Sequence, residues 1–211
     1  MWSLVTLSLL YQNTLRLKKR ISTANDICTE RQKERAMKED EVKEDKTGKE
    51  NNIGYKKESE YYKPIKERLE QLLTTKFKSF HLEITADKRF SNKLKAEVNQ
   101  YREIVFTFLK EAAPDIAGFV KTEYGSDFLV VEIKRETIKL DDIYQARKYA
   151  ELFDAKYGLL VSTNEIPNEI KRLSRVVYSL LSLPAYKTLT IVHYDDNSKE
   201  FAEWFPKNPF E

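Results

Sequence analysis

The sequence predicts an α/β fold in which a mixed β-sheet is flanked by helices. Two apolar runs of strand length, 116–122 and 127–134, are separated by a short turn that contains glycine, which is typical of a hairpin. The strand, helix and strand patterns that follow from 128 to 162 indicate a parallel pair joined by a right-handed crossover. Because one pair is antiparallel and the next is parallel, the sheet must be mixed.

The first half of this fold contains two helical patterns and one strand before the hairpin. Apolar residues at helical spacing predict a helix over 58–77, with Pro64 in its first turn, where the missing N–H costs nothing. Alternating apolar residues predict a strand with one buried face over 80–86. A longer helical pattern covers 91–111, with Ser91 as its N-cap.

The second half alternates between the two types of element. We expect helices over 140–155 and 167–183, a strand over 187–194 and a closing helix over 198–205. The run at 157–163 is continuously apolar, as in a strand at the centre of a sheet.

Composition allows one folded domain and an extension. The chain has 211 residues, of which 41% are hydrophobic and 34% are charged. Residues 16–57 are mostly charged or polar and have no repeating apolar face, so burial cannot offset their ordering entropy. We therefore expect a flexible charged arm over 1–57 and a folded domain over 58–211. Two interpretations of residues 1–36 stay open. In one, translation starts at Met37 and the preceding residues are not part of the natural protein; in the other, they form a solvated tail.

The same composition excludes several kinds of site. The single cysteine, Cys28, excludes an internal disulfide, and with only His81 and His193 there is no ligand set for structural zinc or an iron–sulfur cluster. A bound metal would therefore need oxygen ligands. The net charge of +3 permits nucleic-acid binding without indicating it.

The amino-terminal segment has neither the length of a membrane span nor the order of a secretory signal. Its apolar run covers 1–11, whereas a span needs about 20 residues. Its basic residues follow the apolar run, although in a signal peptide they precede it. We expect a soluble cytoplasmic protein with no membrane partner.

Three charged residues are candidates for chemistry. Glu132 and Lys134 are two positions apart on a predicted strand, so they lie on the same face. Glu132 is seventeen positions after Asp115, a spacing that lets the hairpin bring the two carboxylates together. Because two neighbouring carboxylates repel each other unless a cation lies between them, the pattern predicts Mg²⁺ or Mn²⁺. Lys134 would hold or deprotonate an attacking water, or neutralise charge on a phosphate.

These residues resemble a known family pattern. Pro114 and Asp115, the segment 132–134 with sequence Glu-Ile-Lys, and Gln145 with Tyr149 are similar to the motifs of the PD-(D/E)XK phosphodiesterases, in particular the RecB-like branch with its QxxxY motif. The resemblance extends over residues 58–194. It implies a restriction-endonuclease-like core with the element order αβββαβ, and therefore a nuclease-like domain over 58–211.

The resemblance also implies roles for individual residues. Asp115 and Glu132 would bind the metal with a further oxygen from the Ile133 carbonyl, while Lys134 would assist the water. Gln145 and Tyr149, one helical turn apart, would contact substrate phosphate or brace Lys134.

The family often adds an acid from the first helix. Glu60 is the expected residue, because it stands at the start of that helix, and Glu67 is its competitor.

The implied function is a Mg²⁺-dependent deoxyribonuclease that hydrolyses DNA phosphodiesters with a metal-activated water. Many relatives are dimers, so a homodimer is compatible with the resemblance, but the cysteine set for an iron–sulfur cluster is missing. Two alternatives stay open: a non-catalytic nucleic-acid-binding or assembly module on the same fold, and a purely structural domain in which Glu132 and Lys134 form a surface ion pair.

Overall fold

The computed structural model describes residues 57–211. The predicted arm, except for its last residue, and the alternative start at Met37 lie outside the described residues, as does Cys28. Within 57–211, no helix is both long enough and apolar enough to cross a bilayer.

A six-stranded sheet forms the centre of the fold, and its strands follow one another in sequence order. The strands are β1 (Phe80–Ile84), β2 (Ile116–Thr122), β3 (Gly125–Lys134), β4 (Tyr157–Ser162), β5 (Leu189–Asp195) and β6 (Glu200–Phe205). The first three strands are antiparallel, β3, β4 and β5 are parallel, and β6 is antiparallel to β5. The predicted hairpin, parallel pair and mixed sheet are therefore confirmed.

Five α-helices and two 3₁₀ turns flank the described strands. The helices are α1 (Tyr62–Lys76), α2 (Asn92–Glu97), α3 (Val105–Phe108), α4 (Leu140–Phe153) and α5 (Asn168–Val176). The 3₁₀ turns cover Glu58–Tyr61, directly before α1, and Gln100–Arg102. Along the chain the elements follow the order α1, β1, α2, α3, β2, β3, α4, β4, α5, β5 and β6, so two helices lie between β1 and β2.

Each face of the sheet has its own hydrophobic core. One core joins α1 to alternate residues of β3, including Val131 and Ile133. The other joins α4 to Val130, to Leu160 of β4 and to Leu189 and Ile191 of β5. Since side chains alternate along a strand, Glu132 and Lys134 lie on the same face as Val130 and α4.

The helix predicted over 91–111 is interrupted, and this part of the prediction was wrong. Ser91 is the N-cap, as expected, and its hydroxyl accepts from the Leu94 N–H at 3.1 Å. The helix ends because Val98 adopts an extended conformation. Asn99 then caps the next turn by accepting from the Tyr101 N–H at 2.9 Å, so a local side-chain bond competes with continuation of the helix.

The closing helix predicted over 198–205 is in fact strand β6. A turn held by Asp195, which accepts from the Asn197 N–H at 3.0 Å and from the Ser198 hydroxyl at 2.7 Å, reverses the chain after β5. Phe201 then packs edge-on against Tyr194 of β5. The segment is short and rich in aromatic residues, and pairing with a neighbouring strand outweighs its weak helical pattern.

The helix predicted over 167–183 ends at Val176. Leu180, Leu181 and Leu183 lie beyond it in a folded-back segment and are buried. In this segment the Leu183 N–H donates to the Lys187 carbonyl and the Leu189 N–H donates to the Leu181 carbonyl. Helical spacing alone could not reveal this, because leucines in an irregular segment can be buried at the same intervals.

Candidate active site

Asp115 and Glu132 lie close to each other at the end of the β2–β3 hairpin. Ile116, the first residue of β2, pairs with Val131, so Asp115 directly precedes the paired residues and Glu132 directly follows Val131. The Asp115 carboxylate reaches the Ile133 N–H, and its charge acts on Glu132. The hairpin thus brings the two carboxylates near each other.

Asp115 is fixed at this position by its neighbours. Asp115 is only 7% exposed, and its Oδ2 atom accepts a hydrogen bond from the Ile133 N–H at 2.7 Å. Burial raises the pKa of Asp115, and the Ile133 N–H and the nearby Tyr62 hydroxyl reduce that increase. The carboxylate is therefore held rigidly, next to the backbone of the neighbouring strand.

Glu132 is 4% exposed, and its two oxygens differ. Oε1 accepts from the Lys134 ammonium at 2.9 Å and from the Gln145 amide at 2.6 Å. Oε2 is buried without a hydrogen-bond partner. A buried oxygen of this kind carries a desolvation cost of about 1–3 kcal/mol, or more when it is charged. Burial, followed by the charge of Asp115, raises the pKa of Glu132 to about 7, although Lys134 acts in the opposite direction.

Lys134 carries a positive charge at this site. Burial lowers its pKa, but the hydrogen bond to Glu132 and the charges of the surrounding acids outweigh that effect and raise it overall. The side chain is thus an ammonium ion at neutral pH. It can neutralise negative charge nearby, whereas it is poorly suited to remove a proton from water.

Gln145 and Tyr149 lie on the inner face of α4 and brace Glu132. The Gln145 amide donates to Glu132. Tyr149 is only 1% exposed, and burial raises the pKa of its hydroxyl, an increase that the neighbouring Gln145 side chain reduces. Gln145 therefore holds the carboxylate oxygen that Lys134 also contacts, and the expected contact with substrate phosphate or bracing of Lys134 stays a prediction.

The acids of the first helical segment are placed differently from the sequence-based expectation. The Glu60 carboxylate accepts from the Lys57 N–H at 2.9 Å, and Glu67 lies 3.9 Å from Lys63 in an exposed pair. The negative charge of Glu58, by contrast, helps to raise the pKa values of Asp115 and Glu132.

Glu58 also lines a cleft of about 410 Å³, together with Lys57 and Lys134. Sequence reasoning missed both Glu58 and Tyr62. The 3₁₀ turn over Glu58–Tyr61 sets which side chains point towards the end of β3, and the helical periodicity of α1 does not reveal that turn.

The oxygen atoms gathered here fit a hard divalent cation. The described residues contain no group of three or more His, Cys, Asp or Glu side chains that could hold a metal. The carboxylates of Asp115 and Glu132 nevertheless leave Glu132 Oε2 unpaired. The Ile133 carbonyl faces the same side as its N–H, which bonds Asp115, because both groups of a strand residue point one way. Two carboxylates and one carbonyl suit Mg²⁺ or Mn²⁺, which usually retain several waters.

Comparison of the chain with protein-family models, with curated proteins and with solved structures finds no significant match.

Proposed function

We propose that this protein is a metal-dependent nuclease with a restriction-endonuclease-like core, and that it hydrolyses DNA phosphodiester bonds. One observation carries the proposal: Asp115 and Glu132 lie close together at the end of the β2–β3 hairpin, with Lys134 beside them and one Glu132 oxygen left unpaired. A protein without a ligand here would leave that buried oxygen uncompensated. The resemblance of these residues to the PD-(D/E)XK motifs supports the same reading.

Each residue has a role in this proposal. Asp115, Glu132 and the Ile133 carbonyl would hold Mg²⁺ or Mn²⁺, and the ion would supply an activated water and neutralise phosphate charge. The Lys134 ammonium would stabilise charge that develops on the phosphate. Gln145 keeps Glu132 in place, so that its second oxygen stays directed away from Lys134.

Glu58 replaces Glu60 as our choice for the acid from the first helical segment. The charge of Glu58 acts on Asp115, Glu132 and Lys134, whereas the Glu60 carboxylate is used to hold a backbone N–H. Glu58 would act through a metal-bound water or through the ion's charge.

A panel of DNA substrates tests the proposal. Plasmid, linear, single-stranded and branched DNA are incubated with the full chain and Mg²⁺ or Mn²⁺, alongside D115N and E132Q. Each substitution keeps a side-chain oxygen that can accept the hydrogen bonds that Asp115 Oδ2 and Glu132 Oε1 accept in the parent. The fold should therefore be preserved, and thermal melting verifies this. We expect cleavage of at least one substrate by the parent and loss of that cleavage in both variants. Full activity in either variant would contradict the assigned site.

A second candidate function is a nucleic-acid-binding or assembly module that does not cleave. The absence of any group of three acidic or other metal-ligating side chains among residues 57–211 favours it, as does the small net charge of +3. Binding of DNA by the parent without cleavage in any metal, and without stabilisation by Mg²⁺, would select this alternative.

A further inference from the structure

A second cleft lies at the opposite end of the sheet from the carboxylates. It is lined by residues 76–79 after α1, by 121–124 in the β2–β3 turn, and by Asp127 and Lys156, and its volume is about 650 Å³. We call it the lysine cleft. Asp127 and Glu132 are five positions apart on β3, a distance of about 17 Å at a rise of about 3.4 Å per residue. A group bound in the lysine cleft is therefore separate from the catalytic centre.

The lysine cleft carries excess positive charge. Four lysines line it, against the two acids Glu123 and Asp127. The four lysines are Lys76, Lys78, Lys121 and Lys156.

Two of these lysines are fixed by carboxylates and two are available. Lys121 lies 2.6 Å from Glu97, and Lys156 lies 2.7 Å from Asp127. Lys76 and Lys78 are exposed and form no ion pair within the described part of the chain. The cleft thus presents two unpaired ammonium groups, Lys76 and Lys78, whereas Lys121 and Lys156 are neutralised by their carboxylate partners. Against the one remaining acid of the lining, Glu123, this leaves an excess of positive charge that attracts an anionic ligand.

Tyr124 adds an aromatic surface to this charge. The residue is 98% exposed at the turn of the hairpin. The turn itself is ordered by Thr122, whose hydroxyl donates to the Gly125 carbonyl at 3.1 Å and accepts from the Tyr124 N–H at 3.3 Å. The backbone that carries the ring is therefore held in place, while the ring remains available for stacking.

We propose that the lysine cleft binds a single strand of nucleic acid, with Lys76 and Lys78 on backbone phosphates and Tyr124 stacked on a base. An aromatic ring beside a basic groove is the usual arrangement for this ligand. A single strand fits better than a duplex, because paired and stacked bases hide the faces that Tyr124 would contact. The choice of nucleic acid as the ligand rests on the proposed function. The charge, the cavity and the exposed ring are observed independently of that function.

The test measures binding of 5′-fluorescein-labelled dT20 to the full chain by fluorescence anisotropy, in EDTA, across a series of salt concentrations. Without metal there is no cleavage, and the acidic catalytic centre repels phosphate. Y124A should weaken binding at least fivefold, since stacking contributes about 1–3 kcal/mol per base. K76Q/K78Q should weaken binding and reduce the slope of log Kd against log salt concentration by about 1.4. Each lost phosphate contact on a single strand accounts for about 0.7 of that slope.

R172Q/R175Q is the matched control. It removes the same number of charges from exposed positions on α5, which lie outside the lysine cleft. We expect little change in Kd or in the salt dependence for this variant, and unchanged thermal melting for all three. Equal losses in the lysine and arginine variants would reveal a bulk charge effect and overturn the proposal, as would failure of the parent to bind dT20 at low salt.

The result does not depend on whether the protein is a nuclease. If no substrate is cleaved but Y124A and K76Q/K78Q lose binding as expected, the lysine cleft stands and the proposed function fails. If DNA is cleaved at the carboxylates and the cleft variants bind dT20 as the parent does, the lysine cleft is wrong and the proposed function stands.

Discussion

The Gln145 side-chain amide donates to Glu132 Oε1 at 2.6 Å, and so a residue of α4 fixes the orientation of a carboxylate on β3. Lys134 contacts the same oxygen, whereas Oε2 is buried without a hydrogen-bond partner.

Removal of the Gln145 contact should weaken metal binding while leaving the fold intact. In Q145L, Glu132 loses the hydrogen bond from the Gln145 amide. That bond favours the charged form of the carboxylate and fixes its orientation. Partners of this kind typically contribute 10–100-fold to metal affinity, so we expect a loss in that range. Titration of Mn²⁺ by calorimetry measures it, with Q71L as the control, because Gln71 is an exposed amide on α1. Parent-like affinity in Q145L would show that the contact does not position Glu132.

The stability of the metal-free protein should fall as the pH rises from about 4.5 to about 7. Folding raises the pKa of Glu132 from 4.5 to about 7, so the folded state holds this proton more tightly than the unfolded state. The stabilisation is complete at pH values below the pKa of Glu132 in the unfolded state, and it is lost as the pH rises through the pKa of Glu132 in the folded state. It amounts to about 3 kcal/mol.

E132Q cannot titrate at this position, so it isolates the effect. Urea denaturation in EDTA measures the free energy of unfolding of the parent and of E132Q. The difference between the two should change by about 3 kcal/mol between pH 4.5 and pH 7. Asp115, whose pKa is raised by burial, adds a change of the same sign in both proteins. A difference that stays constant with pH would contradict the raised pKa of Glu132.

Mg²⁺ should stabilise the parent more at pH 8 than at pH 5. At the higher pH both carboxylates are ionised and bind the cation, whereas at the lower pH Glu132 holds a proton that competes with it. A cation at a hundred times its Kd stabilises a protein by about 2.7 kcal/mol. Thermal melting with and without Mg²⁺ measures the shift, and D115N should lose it at both pH values. A shift in D115N equal to that of the parent would place the ion elsewhere.

Glu58 and Glu60 should respond differently to substitution. E58Q removes a charge that acts on the carboxylate pair, so we expect weaker Mn²⁺ binding and slower cleavage. E60Q keeps an oxygen that can accept from the Lys57 N–H and should leave both properties unchanged. Measurement of cleavage rates for the two variants decides between them. A loss in E60Q alone would restore the acid expected from the sequence.

Loss of the Tyr62 hydroxyl should affect the site through Asp115. Burial and the adjacent Asp115 raise the pKa of Tyr62, which keeps the hydroxyl protonated and able to donate. In Y62F the Asp115 carboxylate loses that donor, and a bond to a charged group contributes about 1.5–3 kcal/mol. Mn²⁺ affinity should fall while the α1 core, in which the ring packs, is preserved. Unchanged affinity in Y62F would remove Tyr62 from the site.

The sequence was sufficient to predict the centre of the candidate site but not its surroundings. Strand alternation places Glu132 and Lys134 on one face, the glycine-containing turn brings Asp115 near them, and helical spacing brings Gln145 towards them. The position of Glu58 depends on a 3₁₀ turn that has no periodic signature.

The lysine cleft could not be predicted either, because tertiary packing assembles it from three separate segments. β6 was missed for a related reason: its conformation is decided by pairing with β5 rather than by its own sequence.

The central claim is that Asp115 and Glu132 together hold one divalent cation, and calorimetric titration of Mn²⁺ into the full chain tests it most directly. We predict a single site in the parent and in E60Q, and its loss in both D115N and E132Q with their melting transitions retained. Binding of Mn²⁺ to D115N and E132Q with the parent's affinity would contradict the claim.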